Sequence, residues 1–170
     1  TSSFSNSGFY QTTLNNSGTL TFTGNASFTN AGFDAIYLEN TGTVNFNGSS
    51  TFDNSGFDFI YIDANNGGIY KFNGNFSVSN SSAWYTIPGT ASAGQSTGKF
   101  YFYGDVNMGS YGSTSVGYNP AAYIFDGTGN QTLTCNNSSV YFSDVKIGEV
   151  NSPVVTLAGS NSPFIGNSAA

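Results

Sequence analysis

Apolar and polar residues alternate along most of this chain, and Asn and Gly interrupt the alternation at regular intervals. Residues 3–24 read SFSNSGFYQTTLNNSGTLTFTG, residues 27–48 read SFTNAGFDAIYLENTGTVNFNG, and residues 51–74 read TFDNSGFDFIYIDANNGGIYKFNG. A period of two marks a half-buried strand, because a helix would space its apolar residues by three and four. Leu20 and Phe22 therefore point to one side of their strand, and Thr19, Thr21 and Thr23 to the other. The same inward pair recurs as Val44/Phe46, Tyr70/Phe72, Phe100/Phe102, Tyr123/Phe125 and Val155/Leu157. A second strand of each unit carries Phe4, Phe28, Phe52 and Val78, and a third carries Thr12/Leu14, Ile36/Leu38 and Ile60/Ile62.

Gly24, Gly48, Gly74, Gly104, Gly127 and Gly159 each close such a strand, at spacings of 24, 26, 30, 23 and 32 residues. A near-constant period in this range is the mark of a solenoid. The expected fold is all-β: a parallel β-helix, or β-solenoid, with about three short strands per coil and 23–32 residues per coil. One domain spans 1–170, with regular coils over 1–80, irregular loop-bearing coils over 81–122 and final coils over 123–167. Phe22, Phe46, Phe72, Phe102 and Phe125 form the expected core ladder. Asn6, Asn30, Asn54 and Asn80 mark a repeated corner, with Gly8, Gly32 and Gly56 two residues behind the first three. Both residue types tolerate a left-handed corner, and stacked Asn side chains can hydrogen-bond from coil to coil.

Composition narrows the function classes. Charged residues are 7% of the chain, against about a quarter in ordinary domains, yet 16 Phe and 11 Tyr supply the apolar mass that a disordered chain lacks. The formal charge is −6 and Lys71, Lys99 and Lys146 are the only basic side chains. Nucleic-acid binding, which needs several cations on one face, is not expected. Membrane insertion is not expected either, since no apolar run approaches the ~20 residues of a span. Cys135 is the single cysteine, so no internal disulfide framework exists and a buried thiol is expected. The N-terminus carries no charged-then-apolar leader, as in a mature or excised fragment. Scarce Lys with abundant Asn, Ser and Thr points to an extracellular setting.

From Tyr123 the chain reads YIFDGTGNQTLTCNNSSVYFSDVKIGEVNSPVVTLAG. The patterns F-x-G-x-G-x-Q-x-[LI] and F-x-[DN]-[VL]-x-[IV], followed by a short aliphatic strand, resemble the repeats of very long secreted surface proteins of Bacteroidota. Cys135 stands where that wording usually has a small residue. The resemblance implies a cell-surface adhesin or filament.

Candidate chemistry is sparse. A glycan hydrolase needs paired carboxylates, and Asp34/Asp58 and Glu39/Asp63 stand at equivalent positions of adjacent coils. The duplicated wording explains both pairs without catalysis, and no His or Arg stands by to tune them, so an enzyme is not expected. A polysaccharide lyase or hydrolase, or a glycan-binding module, is the alternative. The same four residues are the oxygen ligands on which a calcium ion would draw; no other cofactor is expected. Tyr37, Tyr61, Tyr101 and Tyr103 fall at outward positions, and Trp84, Tyr85, Tyr111 and Tyr118 on the irregular turns. Together they offer an aromatic strip for glycans or a neighbouring chain. Open strand edges at both ends, with no charge after Glu149, predict that residues 1–9 and 152–166 meet further β-structure, from a second copy or a continuing chain.

Overall fold

A computed structural model describes residues 1–57, 60–80, 86–89, 98–109, 122–136, 141–142 and 144–165. Every regular element among them is a strand. The first coil holds β1 (Ser2–Asn6), β2 (Thr12–Asn16) and β3 (Thr19–Phe22). The second holds β4 (Ala26–Asn30), β5 (Ile36–Asn40) and β6 (Thr43–Phe46), and the third β7 (Ser50–Asn54), β8 (Ile60–Ala64) and β9 (Ile69–Phe72). The fourth holds β10 (Phe76–Asn80), β11 (Thr86–Gly89) and β12 (Lys99–Phe102). Beyond it come β13 (Val106–Met108), β14 (Ala122–Phe125), β15 (Gln131–Cys135), β16 (Tyr141–Phe142), β17 (Asp144–Ile147), β18 (Val155–Ala158) and β19 (Phe164–Ile165).

Each strand pairs in parallel with its equivalents one coil away, which makes three walls of a β-solenoid. The first wall runs β1-β4-β7-β10-β13-β15-β18, the second β2-β5-β8-β11 and the third β3-β6-β9-β12-β14-β17. A separate pair joins β16 to β19. Through the first three coils the register matches like with like: Phe4 with Phe28 and Phe52, Leu14 with Leu38 and Ile62, Phe22 with Phe46 and Phe72.

Aromatic rings fill the lumen in two sets of columns. Phe22, Phe46, Phe72 and Phe102 stack nearly parallel at 4.8, 5.1 and 5.3 Å, and Phe125 continues the column at 5.3 Å with a tilted ring. Phe4, Phe28 and Phe52 stack at 5.0 and 4.9 Å on the facing wall. Rings of the two columns meet edge to face, as in Phe28 against Phe46 at 83°. Both arrangements suit the ring quadrupole, whose faces are negative and edges positive. In the fourth coil the first wall exchanges its volumes: Ser50 is followed in its column by Phe76, and Phe52 by Val78. The large side chain moves two positions while the pair keeps its bulk, the kind of swap a packed core tolerates.

The last strands depart from expectation. Val155 and Leu157 do not continue the wall of Tyr123 and Phe125; β18 pairs with β15, setting Val155 beside Gln131 and Leu157 beside Leu133. The third wall passes instead to β17, where Val145 meets Tyr123 and Ile147 meets Phe125. An aliphatic alternation closed by Gly recurs at more than one corner of a coil, so the wording alone does not say which wall it builds. Leu157 stays 54% exposed because, among the described residues, no strand pairs on the outer side of β18.

The corner glycines serve a purpose other than the one expected. Positive φ occurs, among the described residues, at Asn66, Gly67, Gly148 and Gly159, and not at Gly8, Gly32 or Gly56. What the repeated glycines supply is room. A Cβ on Gly32 would lie 2.5 Å from the Gly8 carbonyl oxygen, and one on Gly42 would overlap the Gly18 carbonyl oxygen of the preceding coil. Asn side chains secure the same corners. Asn30 Nδ2 donates to Asn54 Oδ1 at 3.2 Å, and Asn6 Nδ2 donates to the Asp34 carbonyl at 2.9 Å. A second column joins Asn16 Nδ2 to Asn40 Oδ1 at 2.8 Å. Asn80 continues the first column in backbone register with Asn54.

Two outcomes follow for stability. Phe72→Ala should cost about 3–5 kcal/mol through lost burial and the cavity left behind, whereas Thr21→Ala on an outer face should change the melting temperature little. Gly42→Ala should cost about 1–3 kcal/mol by overpacking, while Gly18→Ala, at the same corner one coil earlier with nothing within 4 Å of its Cβ, should be neutral. Denaturant melts of the four variants check both comparisons.

Candidate functional site

Among the described residues, the outward aromatics of the strands fall on two walls. Tyr37 and Tyr61 stack at 4.6 Å on the second wall, both half-buried. Tyr101 and Tyr103 stand 6.2 Å apart at the third wall and are also half-buried. Tyr101 donates to Glu149 Oε2 at 2.7 Å, Lys99 Nζ donates to the Tyr101 hydroxyl at 3.4 Å, and Lys99 lies 3.7 Å from Glu149. Lys71 and Lys99 each approach the Tyr101 ring at about 6 Å. Desolvation, the hydrogen bond to Glu149 and the nearby acids push the Tyr101 phenol up to about 12. Trp84, Tyr85, Tyr111 and Tyr118 lie outside the described residues.

Among the described residues, the most exposed aromatic feature is one that strand alternation does not reveal. Phe9, Phe33 and Phe57 follow the corner glycines, and their rings stack at 4.8 Å with interplanar angles of 4° and 3°. They are 73%, 56% and 64% exposed, and Tyr10 beside them is 85% exposed. The signal was in the thrice-repeated Gly-Phe of the quoted units. It was missed because these residues sit between strands, where a period of two says nothing about direction. In such a column each inner ring is sandwiched, so the outer surface consists of ring rims, and an open face remains only at the ends.

The acidic candidates separate on the structure. Asp34 Oδ1 accepts from the Ala35 N–H at 2.8 Å, a local corner bond, and Asp58 lies outside the described residues. Glu39 and Asp63 are directly paired in register on the second wall. Their surroundings differ. Glu39 is exposed, but Asp63 is 1% exposed, and neither of its carboxylate oxygens has a hydrogen-bond partner among the described residues. Burial, then the charge of Glu39, push the Asp63 carboxyl up to about 7. Beneath it the buried Tyr70 hydroxyl donates to the Leu38 carbonyl at 2.8 Å.

Asp126 contrasts with Asp63 although it is equally buried. Its Oδ1 accepts from the N–H groups of Glu149, Val150 and Asn151 at 3.0, 2.9 and 2.7 Å. Burial alone would raise its pKa, but these three donors outweigh that and hold it below the usual value. Cys135 is free and buried, its thiol pushed up to about 11 by desolvation. No three His, Cys, Asp or Glu side chains gather as a metal-holding group among the described residues.

Comparison with protein-family models, with curated proteins and with solved structures gave no match. The reading of function therefore rests on this chain's own geometry.

Asp126 gives a pH dependence with a definite sign. Its folded pKa is depressed, so its contribution is fully present above the ordinary value of 3.8 and is lost as pH falls through the folded pKa. Thermal melts from pH 6 down to pH 2 should show the difference in stability between the native chain and Asp126→Asn shrinking as the carboxylate protonates. A difference that stays constant over that range would contradict the role given to the three N–H donors.

Proposed function

We propose that this β-solenoid is an extracellular structural or adhesive element that extends by pairing its terminal coils with further β-structure. One observation carries the reading: the outer edge of the first coil is neutral and unpaired among the described residues. β1, β2 and β3 are all edge strands. Ser2 N–H donates to the Asn25 carbonyl and the Asn6 carbonyl accepts from Ala31 N–H, so the even residues of β1 face β4 and Ser3 and Ser5 turn their polar groups to the open edge. Phe4 and Phe9 each stack on one neighbour, Phe28 and Phe33, in columns that begin with them. No charged side chain occurs before Asp34. Proteins that must keep an edge single usually charge it, bulge it or cover it; a neutral edge topped by half-filled aromatic columns suits a second coil of the same kind.

The aromatic columns favour this over glycan binding. A sugar packs on an open ring face, and in a stacked column those faces are occupied by the next ring. Rims in a row suit apolar protein surface instead. The extracellular setting rests on the scarcity of Lys and the wealth of Asn, Ser and Thr.

Electron microscopy and sedimentation of residues 1–170 test the proposal. Ser5→Pro and Val155→Pro each remove an N–H on the open side of an edge strand, where no bond of the solenoid is lost. The native chain should form linear particles that lengthen with concentration, and both variants should remain short with an unchanged melting temperature. A native chain that stays monomeric at every concentration, or variants that assemble equally well, would overturn it.

A further inference from the structure

Along and just past β8 on the second wall, three buried oxygen atoms have no donor to meet them among the described residues. Asp63 stands directly above Glu39 in the register, in a column that begins with Asn15 and ends at Gly89, which brings backbone and no side chain. Adjacent strands lie about 4.8 Å apart, close enough for one ion to meet both carboxylates. Asn65 lies two residues beyond Asp63, just past the end of β8. It follows the coil corner at which Asn65 N–H donates to the Asn40 carbonyl. Its Oδ1 is buried and, like both oxygens of Asp63, has no hydrogen-bond partner among the described residues.

This arrangement is unusual for a structural acid. The other acid buried to the same degree, Asp126, is met by three N–H groups. Asp63 faces a second carboxylate instead, and the lysines Lys71, Lys99 and Lys146 all belong to strands of the third wall. A buried acceptor left unmet costs free energy that a folded protein normally avoids. A proton on Asp63 would satisfy one oxygen at most. A cation bound between Asp63 and Glu39 would meet the carboxylate oxygens and relieve their repulsion.

We propose that Glu39, Asp63 and Asn65 hold a divalent cation of the calcium type. The donor set is entirely oxygen, with two carboxylates and one amide carbonyl, which suits a hard cation and offers nothing to zinc or copper. With Asp63 and Glu39 each able to bind through two oxygens, the side chains supply up to five of the six to eight ligands calcium takes; water completes the shell. The site lies away from the terminal coils, so it stands or falls independently of end-to-end pairing. Its structural effect is to tie the third coil to the second where the Asn16–Asn40 column gives way to Ala64.

Terbium, a luminescent calcium substitute, provides the direct test, because Tyr37 and Tyr61 stand two residues from Glu39 and Asp63 on the same outer face and can transfer excitation to it. At pH 8, after removal of divalent ions with EDTA, the native chain should give a saturable tyrosine-sensitised terbium signal that calcium displaces. Calcium should also raise its melting temperature more than an equal ionic strength of NaCl. Asp63→Asn should weaken terbium binding at least tenfold, Glu39→Gln should weaken it less, and Asp34→Asn should leave it unchanged. Circular dichroism of each variant at the same temperature establishes that the coils are intact. A native chain with no saturable signal, or an Asp63→Asn variant that is folded and binds as well as the native chain, would overturn the proposal.

Discussion

Everything in this molecule depends on one constraint: a residue in one coil must sit directly over its equivalent in the next. Parallel pairing fixes the coil rise at the strand separation, and that distance is also a comfortable stacking distance for aromatic rings. The Phe22 and Phe4 columns therefore satisfy the backbone ladder and the ring packing with a single repeat. Sequence repetition is the simplest way to meet such a constraint, because any residue that packs well on itself can be used again.

The same constraint governs the corners. There the backbones of successive coils approach until no Cβ fits between them, and glycine becomes necessary for its missing side chain more than for its conformational freedom. Asparagine supplies the complement. It donates along the axis to the next coil and accepts locally from the N–H two residues on, as Asn30 does from Gly32. A corner of Asn-x-Gly thus holds the coils together and keeps their spacing. Where the Asn16–Asn40 column reaches Ala64, the chain inserts a turn with positive φ at Asn66 and Gly67, and exact repetition ends.

Departures from the repeat are where function has room. The inner columns tolerate exchanges such as Phe76 for Ser50 because only total volume must be kept. Outer positions carry no such condition, and there the coils diverge: Thr21, Asn45, Lys71 and Tyr101 share one column of the third wall. The outer surface can therefore acquire single features, such as the buried carboxylate of Asp63, without disturbing the scaffold. The stacked rings of Phe9, Phe33 and Phe57, and of Tyr37 and Tyr61, are outer columns that have kept their repeat.

The sequence by itself determined the all-β parallel solenoid, three strands per coil, the inward residues of the regular coils and their register, because alternation and period are local patterns that survive in one dimension. It did not determine which wall receives Val155 and Leu157, since that depends on how many corners the chain turns after Phe125. Nor did it separate Asp63 from Glu39. The two occupy equivalent positions in the repeat, and only the folded surroundings of each coil decide that one keeps its water while the other loses it. Repetition specifies which residues are stacked; burial, which gives a stacked carboxylate or ring its chemistry, is a property of everything packed around the stack and exists only in the tertiary structure.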